Sequence, residues 1–314
     1  MNAASESKLI LFNEYIIPHP EYRHALNCID RSIEATRLRG EPASALIVGN
    51  PGTGKSTAGK AAVQARGSRR IVSDESGTKQ VVPAFYLPLK SPCTTNTLTI
   101  RMLHALDCDD ASGNSSALSK RLVKLLDTCE TQLIVLDEFD ILLEKGAEKS
   151  RQQVCEWVRT LLNETLVPIA IVGVNSCEEI INAHPQLSRR YPYRHHMTEF
   201  EYSALDPKSV YSKTMRALGN ALEEIGKFKD CLSLGTDQPL KAMYLATAGN
   251  MNGIRHILYE AMKTALNRDD GTFTKEDLTF GCDVSVVPTA MYHSNPFRLS
   301  SEALNRVFAG KTGQ

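Results

Sequence analysis

The strongest chemical signal in the chain is the octapeptide Gly49-Asn50-Pro51-Gly52-Thr53-Gly54-Lys55-Ser56, which directly follows the aliphatic run Ala45-Leu46-Ile47-Val48. It satisfies every fixed position of G-x-x-x-x-G-K-[ST] and has the strand-loop-helix context that this pattern requires. The glycines let the backbone curl until successive N–H groups and the N-terminus of the following helix point at one set of phosphate oxygens. In such a loop Lys55 reaches the terminal phosphates, the Ser56 hydroxyl ligates Mg²⁺, and Thr57 continues the same helical turn. The chemistry implied is binding of a nucleoside triphosphate, taken as ATP, together with Mg²⁺.

A second run, Leu133-Ile134-Val135-Leu136, ends in Asp137-Glu138. A buried strand of this kind delivers both carboxylates to the C-terminal edge of an open α/β sheet, where ligands bind. Asp137 then holds Mg²⁺, directly or through water, and Glu138 orients and polarises an attacking water. The adjacent acid favours hydrolysis over transfer to a bound substrate hydroxyl.

Other chemistries lack their spacing. Eight cysteines stand apart with no C-x-x-C pair and read as reduced core thiols. Eight histidines show no H-x-x-x-H spacing, and His195 with His196 would point to opposite sides of a strand, so a metal shared by that pair is not expected. Trp157 with Val154, Val158, Leu161 and Leu162 forms a core stripe. The 36 Lys plus Arg cancel 36 Asp plus Glu, so any nucleic-acid contact must be a local patch. The longest apolar runs are strand-sized, and the apolar stretch between Glu6 and Glu14 is too short for a signal peptide, which points to a cytoplasmic protein with no membrane partner.

Strand-like runs alternate with helical periodicity up to about Val174: Ala45 to Val48 then Lys55 to Arg66, Ala84 to Leu87 then Thr95 to Leu106, Ser116 to Cys129 before Leu133, and Arg151 to Leu166 before Ile169. Such alternation means crossover units and a parallel sheet covered on both faces. After Asp206-Pro207 only helical patterns remain, at Ser209 to Ile225, Pro239 to Thr247, Gly253 to Asn267 and Lys275 to Leu278. The expected organisation is an N-terminal segment 1–20, an α/β domain 21–205, a helical domain 206–282 and a loosely held tail 283–314, in which Ser301 to Phe308 could form a short amphipathic turn.

The form Gly-x-Pro-Gly-x-Gly-Lys-Ser, the Asp-Glu pair and the helical domain that follows resemble the AAA+ ATPases over roughly residues 20–280. The resemblance implies a P-loop AAA+ parallel sheet flanked by helices and followed by a small all-α lid. It further implies that Asn175, after the run Ile169 to Val174, senses the γ-phosphate. Arg190, or failing that Arg189, would reach the ATP of a neighbouring subunit, making hydrolysis depend on assembly. Arg255 in Gly249-Asn250-Met251-Asn252-Gly253-Ile254-Arg255 would read nucleotide from the lid, although a lone helical arginine reads equally well as surface.

Within that class the chain resembles the TniB/TnsC-type transposition regulators. The likeness rests on Ile17-Pro18-His19-Pro20, on Ala84-Phe85-Tyr86-Leu87-Pro88-Leu89-Lys90-Ser91-Pro92, and on Gln186-Leu187-Ser188-Arg189-Arg190-Tyr191. It implies a homo-oligomer, ring or helical filament, on double-stranded DNA. It also implies recruitment of a DDE-type transposase and response to a target-selection protein, TniQ-like or CRISPR-associated, with no strand transfer by the chain itself. Carried over in the same way, the DNA-contacting candidates are Lys90, Thr94, Lys120, Arg121 and Lys124. A helicase loader or replication initiator shares the same ATP chemistry, and a module that retains ATP without turnover remains a third reading.

Overall fold

A computed structural model describes residues 2–74, 77–110, 112–203 and 208–312. In chain order the elements are α1 (Ala3–Glu14), α2 (Pro20–Arg39), β1 (Ala45–Gly49), α3 (Lys55–Gln64), the pair β2 (Arg70–Asp74) and β3 (Gly77–Val81), and β4 (Ala84–Pro88). There follow α4 (Thr95–Ala105), α5 (Ser115–Thr128), β5 (Leu133–Asp137), a 3₁₀ turn (Phe139–Leu143), α6 (Glu148–Thr165), β6 (Ile169–Gly173), α7 (Cys177–Asn182), α8 (Pro185–Ser188) and β7 (Tyr193–Met197). The remainder holds α9 (Val210–Gly226), β8 (Asp230–Cys231), α10 (Asp237–Thr247), α11 (Met251–Arg268), β9 (Thr272–Phe273), α12 (Lys275–Val284), a second 3₁₀ turn (Pro296–Arg298) and α13 (Ser301–Thr312).

Two compact units result, residues 21–197 and residues 1–20 with 198–314. The boundary expected near Leu205 lies outside the described residues. In the first unit five strands form one parallel sheet in the order β4-β5-β6-β1-β7. Strands β1, β5 and β6 are buried at all five positions, because helices cover both faces and no side chain alternates into water. Alternation instead assigns faces: Leu46, Val48, Ile134 and Leu136 join the core under α4, α5 and α6, while Ala45, Ile47, Leu133 and Val135 pack against α2 and α3.

Two features of this unit do not follow from aliphatic runs. The edge strand β7 reads Tyr-Arg-His-His-Met and is only partly buried, and the β2–β3 pair is largely exposed. Edge and hairpin strands take polar side chains because one side faces water, so the hydrophobic signal disappears.

The second unit is a helical cluster around Tyr211, Met215, Leu218, Ile254, Ile257 and Met262. The N-terminal segment contributes to this core. Asn2 caps α1, accepting from the Ser5 N–H at 2.8 Å, and Leu9 and Phe12 enter this core. The tail expectation also needs correction, since Phe297, Leu304 and Phe308 are 3%, 3% and 5% exposed, and the Phe308 ring lies 4.5 Å from that of Tyr202 in an edge-on contact. Three aromatic or aliphatic anchors in a polar stretch suffice to dock a helix that composition alone reads as frayed.

All eight cysteines are free thiols. Burial pushes Cys155 and Cys177 up to about 12 and Cys93, Cys231 and Cys282 up to about 11, which keeps them protonated and inert. No helix among the described residues is long and apolar enough to cross a membrane.

Candidate functional site

The phosphate-type loop joins the C-terminal end of β1 to α3. Gly54 precedes α3 in the left-handed region at φ 100°, and Gly52 takes φ 83° within the loop. Those angles favour glycine, and a glycine before α3 brings no side chain to cap its first-turn N–H groups. Gly49 answers a different need. A Cβ there would stand 2.2 Å from the Met197 carbonyl oxygen, so only glycine lets β1 leave the sheet this close to β7. The turn is braced by Thr53, whose hydroxyl donates to the Asn50 carbonyl at 2.9 Å. Lys55, 8% exposed, folds back to donate to the same carbonyl at 2.7 Å.

Asp137 ends β5 and is buried. Its Oδ1 accepts from the Glu138 N–H at 2.7 Å, and its Oδ2 accepts from the Tyr86 hydroxyl on neighbouring β4. The Ser56 side chain lies close to the same Tyr86 hydroxyl, so Ser56 and Asp137 face one region. Burial first, and then the Asp137 carboxylate, pushes the Tyr86 phenol well above the ordinary tyrosine value, so it serves as a fixed donor. Glu138 follows with φ 57° and is exposed at the strand end, while Asn175, beyond β6, donates from Nδ2 to Asn50 Oδ1 at 3.1 Å. Loop, Asp137, Glu138 and Asn175 therefore meet at the C-terminal ends of β1, β5 and β6, as ligand sites of open parallel sheets do. Tyr86 was not among the sequence candidates; only strand pairing places it beside Asp137.

Arg189 and Arg190 lie elsewhere. The Arg190 carbonyl accepts from the Ser44 N–H at 2.6 Å, at the start of β1. A five-residue strand spans ~16 Å at ~3.3 Å per residue, so these arginines sit about a strand length from their own chain's loop. They line a polar cleft of about 440 Å³ together with Arg39, Arg159 and Glu41. Arg39 ends α2 and Arg159 lies on α6; nothing in their local sequence announces that they share a surface with the Arg189-Arg190 turn.

The remaining candidates are placed as follows. Lys90 is exposed after β4, and Lys120 and Lys124 are exposed on α5. Thr94 is committed to α4 as the N-terminal half of a capping box with Thr97. Arg121 is held by Asp110, with 3.1 Å between Nη2 and Oδ2. In the helical unit, Arg255 donates to the carbonyls of Tyr15 at 2.8 Å, Asn13 at 2.9 Å and Phe12, and stacks over the Phe12 ring. It thus closes the C-terminal end of α1, where helical carbonyls lack intrahelical partners, and burial lowers its pKa. A nucleotide-reading role for Arg255 would require giving up those bonds.

Many solved structures are similar to this chain, and two of them illustrate the likeness. The Orc1 protein of Aeropyrum pernix in complex with DNA is 18% identical, with 87% of this chain and 68% of that chain covered and a TM-score of 0.57. Cdc6p from Pyrobaculum aerophilum is 14% identical, with 87% and 69% covered and a TM-score of 0.58. At such identities the likeness concerns the fold. No curated protein matches the sequence. The five-stranded parallel sheet flanked by helices, with the Gly-rich loop and Asp-Glu strand at one edge, gives the chain a fold of the AAA+ type. More narrowly, the chain belongs to the bacterial TniB protein family, whose model matches residues 10–201.

Proposed function

We propose that this chain is an ATPase that regulates DNA transposition, oligomerising on double-stranded target DNA and linking target selection to recruitment of a DDE-type transposase. The observation that carries the reading is the meeting of the Lys55 loop with Asp137 and Glu138 in a TniB-family chain. The substrate is ATP, cradled by residues 49–57. The oxygen donors Ser56 and Asp137, both close to the Tyr86 hydroxyl, suit a hard divalent cation, and Mg²⁺ held there would supply positive charge to the phosphate oxygens.

Each residue then has a physical task. Lys55 exchanges the Asn50 carbonyl for a phosphate oxygen. Glu138 holds a water in line and accepts its proton, so that the water oxygen bonds to the γ-phosphorus as the bond to the bridging oxygen breaks, releasing ADP and phosphate, to which the proton then passes. Asn175, already tied to Asn50, positions a side-chain amide over the γ-phosphate. Arg190, with Arg189 beside it, serves the site of a neighbouring copy, where a guanidinium stabilises the charge on the transferred group. Arg39 and Arg159 make that same surface cationic. Target selection through a TniQ-like or CRISPR-associated protein is part of the same reading.

Electron microscopy of the chain with duplex DNA, with and without ATP and Mg²⁺, tests it. Rings or filaments should form only with nucleotide, and their absence under all conditions would sink the proposal. Glu138→Gln should keep ATP binding and assembly while lowering turnover at least about 100-fold, at the lower end of what loss of a general base costs. The likeness to Orc1 and Cdc6p favours a second reading, a replication initiator or helicase loader. Capture of a replicative helicase in place of the transposase by the ATP-bound oligomer would decide for it.

A further inference from the structure

Three side chains that do not belong to the nucleotide loop meet at the edge of the sheet, where His195 pairs with Ile47 of β1. Glu21 and His24 lie three apart in the first two turns of α2, which puts them on one helical face. His195 comes from β7, and one ligand atom of each of the three lies within 4.8 Å of the others. His195 Nε2 stands 3.2 Å from Glu21 Oε2 but is buried and out of line for a hydrogen bond with any neighbour. The His24 and His195 rings are 5.6 Å apart and perpendicular.

From this geometry we infer that Glu21, His24 and His195 form a binding site for a divalent transition metal, with Zn²⁺ the best fit. Two imidazoles and one carboxylate are a ligand set that zinc takes, at ~2.0 Å each, and ligands around a tetrahedral centre of that size stand ~3.3 Å apart. The Glu21–His195 separation already has that value, and a turn of the exposed His24 ring brings in the third ligand. A Glu-x-x-His pair is a known helical means of presenting two ligands together.

The strand's pleat separates this site from its polar neighbours. Arg194 and His196 both turn to Glu178, at 2.8 Å and 2.9 Å, so of these three side chains only His195 shares the face of β7 that packs on α2. With His24 exposed, the metal has an entry path and a fourth position open to water or a further ligand. The bound ion would clip the start of α2 to β7, five residues after Arg190, and stiffen the segment that follows the Arg189-Arg190 turn. The site stands whether or not the chain regulates transposition, since it shares no residue with the nucleotide loop.

Equilibrium dialysis of the full chain, stripped with chelator and returned to excess Mg²⁺, against Zn²⁺ reads the inference directly. The parent should bind one equivalent per chain that His24→Ala, Glu21→Ala and His195→Ala weaken at least about tenfold, the scale reached even when only a ligand-orienting group is lost. His196→Ala should bind as the parent does. His24 is exposed, so His24→Ala should keep its circular dichroism and its ATP binding, and it decides the matter if His195→Ala fails to fold. Co²⁺ in place of Zn²⁺ should give tetrahedral d–d absorption without thiolate charge transfer. Equal Zn²⁺ binding by parent and His24→Ala, equal loss in His196→Ala, or a thiolate band would overturn the inference.

Discussion

Gly49 links the chemistry to the sheet at the scale of one residue. The loop must leave β1 at a point where the Met197 carbonyl would lie 2.2 Å from any Cβ. Gly49→Ala should therefore push β7 away from β1, destabilising the α/β unit by about 1–3 kcal/mol as overpacking does, and weaken ATP binding with it. Urea unfolding followed by circular dichroism, alongside nucleotide titration, measures both; unchanged stability would mean that β7 yields without cost. The Gly-x-x-x-x-Gly-Lys-Ser pattern and the Asp-Glu pair are legible in the sequence because each lies within a few consecutive residues. Tyr86 is not, since its partner Asp137 is fifty-one positions away and the two meet only through the β4–β5 register.

At the scale of elements, helix termini show how little of the helical unit depends on periodicity alone. Asp277, 1% exposed, caps α12 by accepting from the Thr274 N–H at 2.8 Å, and Arg268 at the end of α11 grips the same carboxylate, with Nη2 at 3.0 Å from Oδ2. Arg268 also holds Asp270, whose carboxyl it keeps down at about 2. Arg268→Ala would leave a buried carboxylate without its cation, a loss of about 2–4 kcal/mol after allowance for the partly exposed guanidinium. Thermal unfolding of the variant against Arg268→Lys, which keeps the charge but not the fork, should show the larger drop for alanine. The helix α12 was expected to end near Leu278, and it runs to Val284, because Gly281 lets it approach α11 closely enough that a Cβ would meet the Ile257 oxygen at 2.5 Å. Likewise β7 carries no aliphatic run, yet strand pairing with β1 makes it the fifth strand.

For the molecule as a whole, the balance of 36 basic and 36 acidic residues limits what one chain can do on DNA. A repeated small patch gains avidity in an oligomer that a neutral monomer lacks. Of the candidate DNA-binding residues, Lys90, Lys120 and Lys124 are exposed, whereas Thr94 caps α4 and Arg121 on α5 is held by Asp110. Lys120→Ala with Lys124→Ala should weaken ATP-dependent DNA binding at every sequence tested. The slope of log affinity against log salt should flatten by about 0.9 for each phosphate that a lysine no longer neutralises. Filter binding at several salt concentrations checks this, and an unchanged slope would place the DNA path away from α5.

What the sequence determined by itself was local: the phosphate loop, the acidic strand end, the buried strands and the alternation that implies a parallel sheet. Each is written in contiguous residues, where backbone geometry and hydrophobic period act over a turn or a strand. Tertiary structure alone decided which distant groups share a space. It joined Tyr86 to Asp137, gathered Arg39 and Arg159 beside the Arg189-Arg190 turn, and brought His195 to Glu21 and His24. It also turned Arg255 to the carbonyls of α1 and anchored Phe297, Leu304 and Phe308 in the helical core. The physical reason is that a side chain's partners are set by strand register and helix packing, which the chain reaches only when the whole core closes.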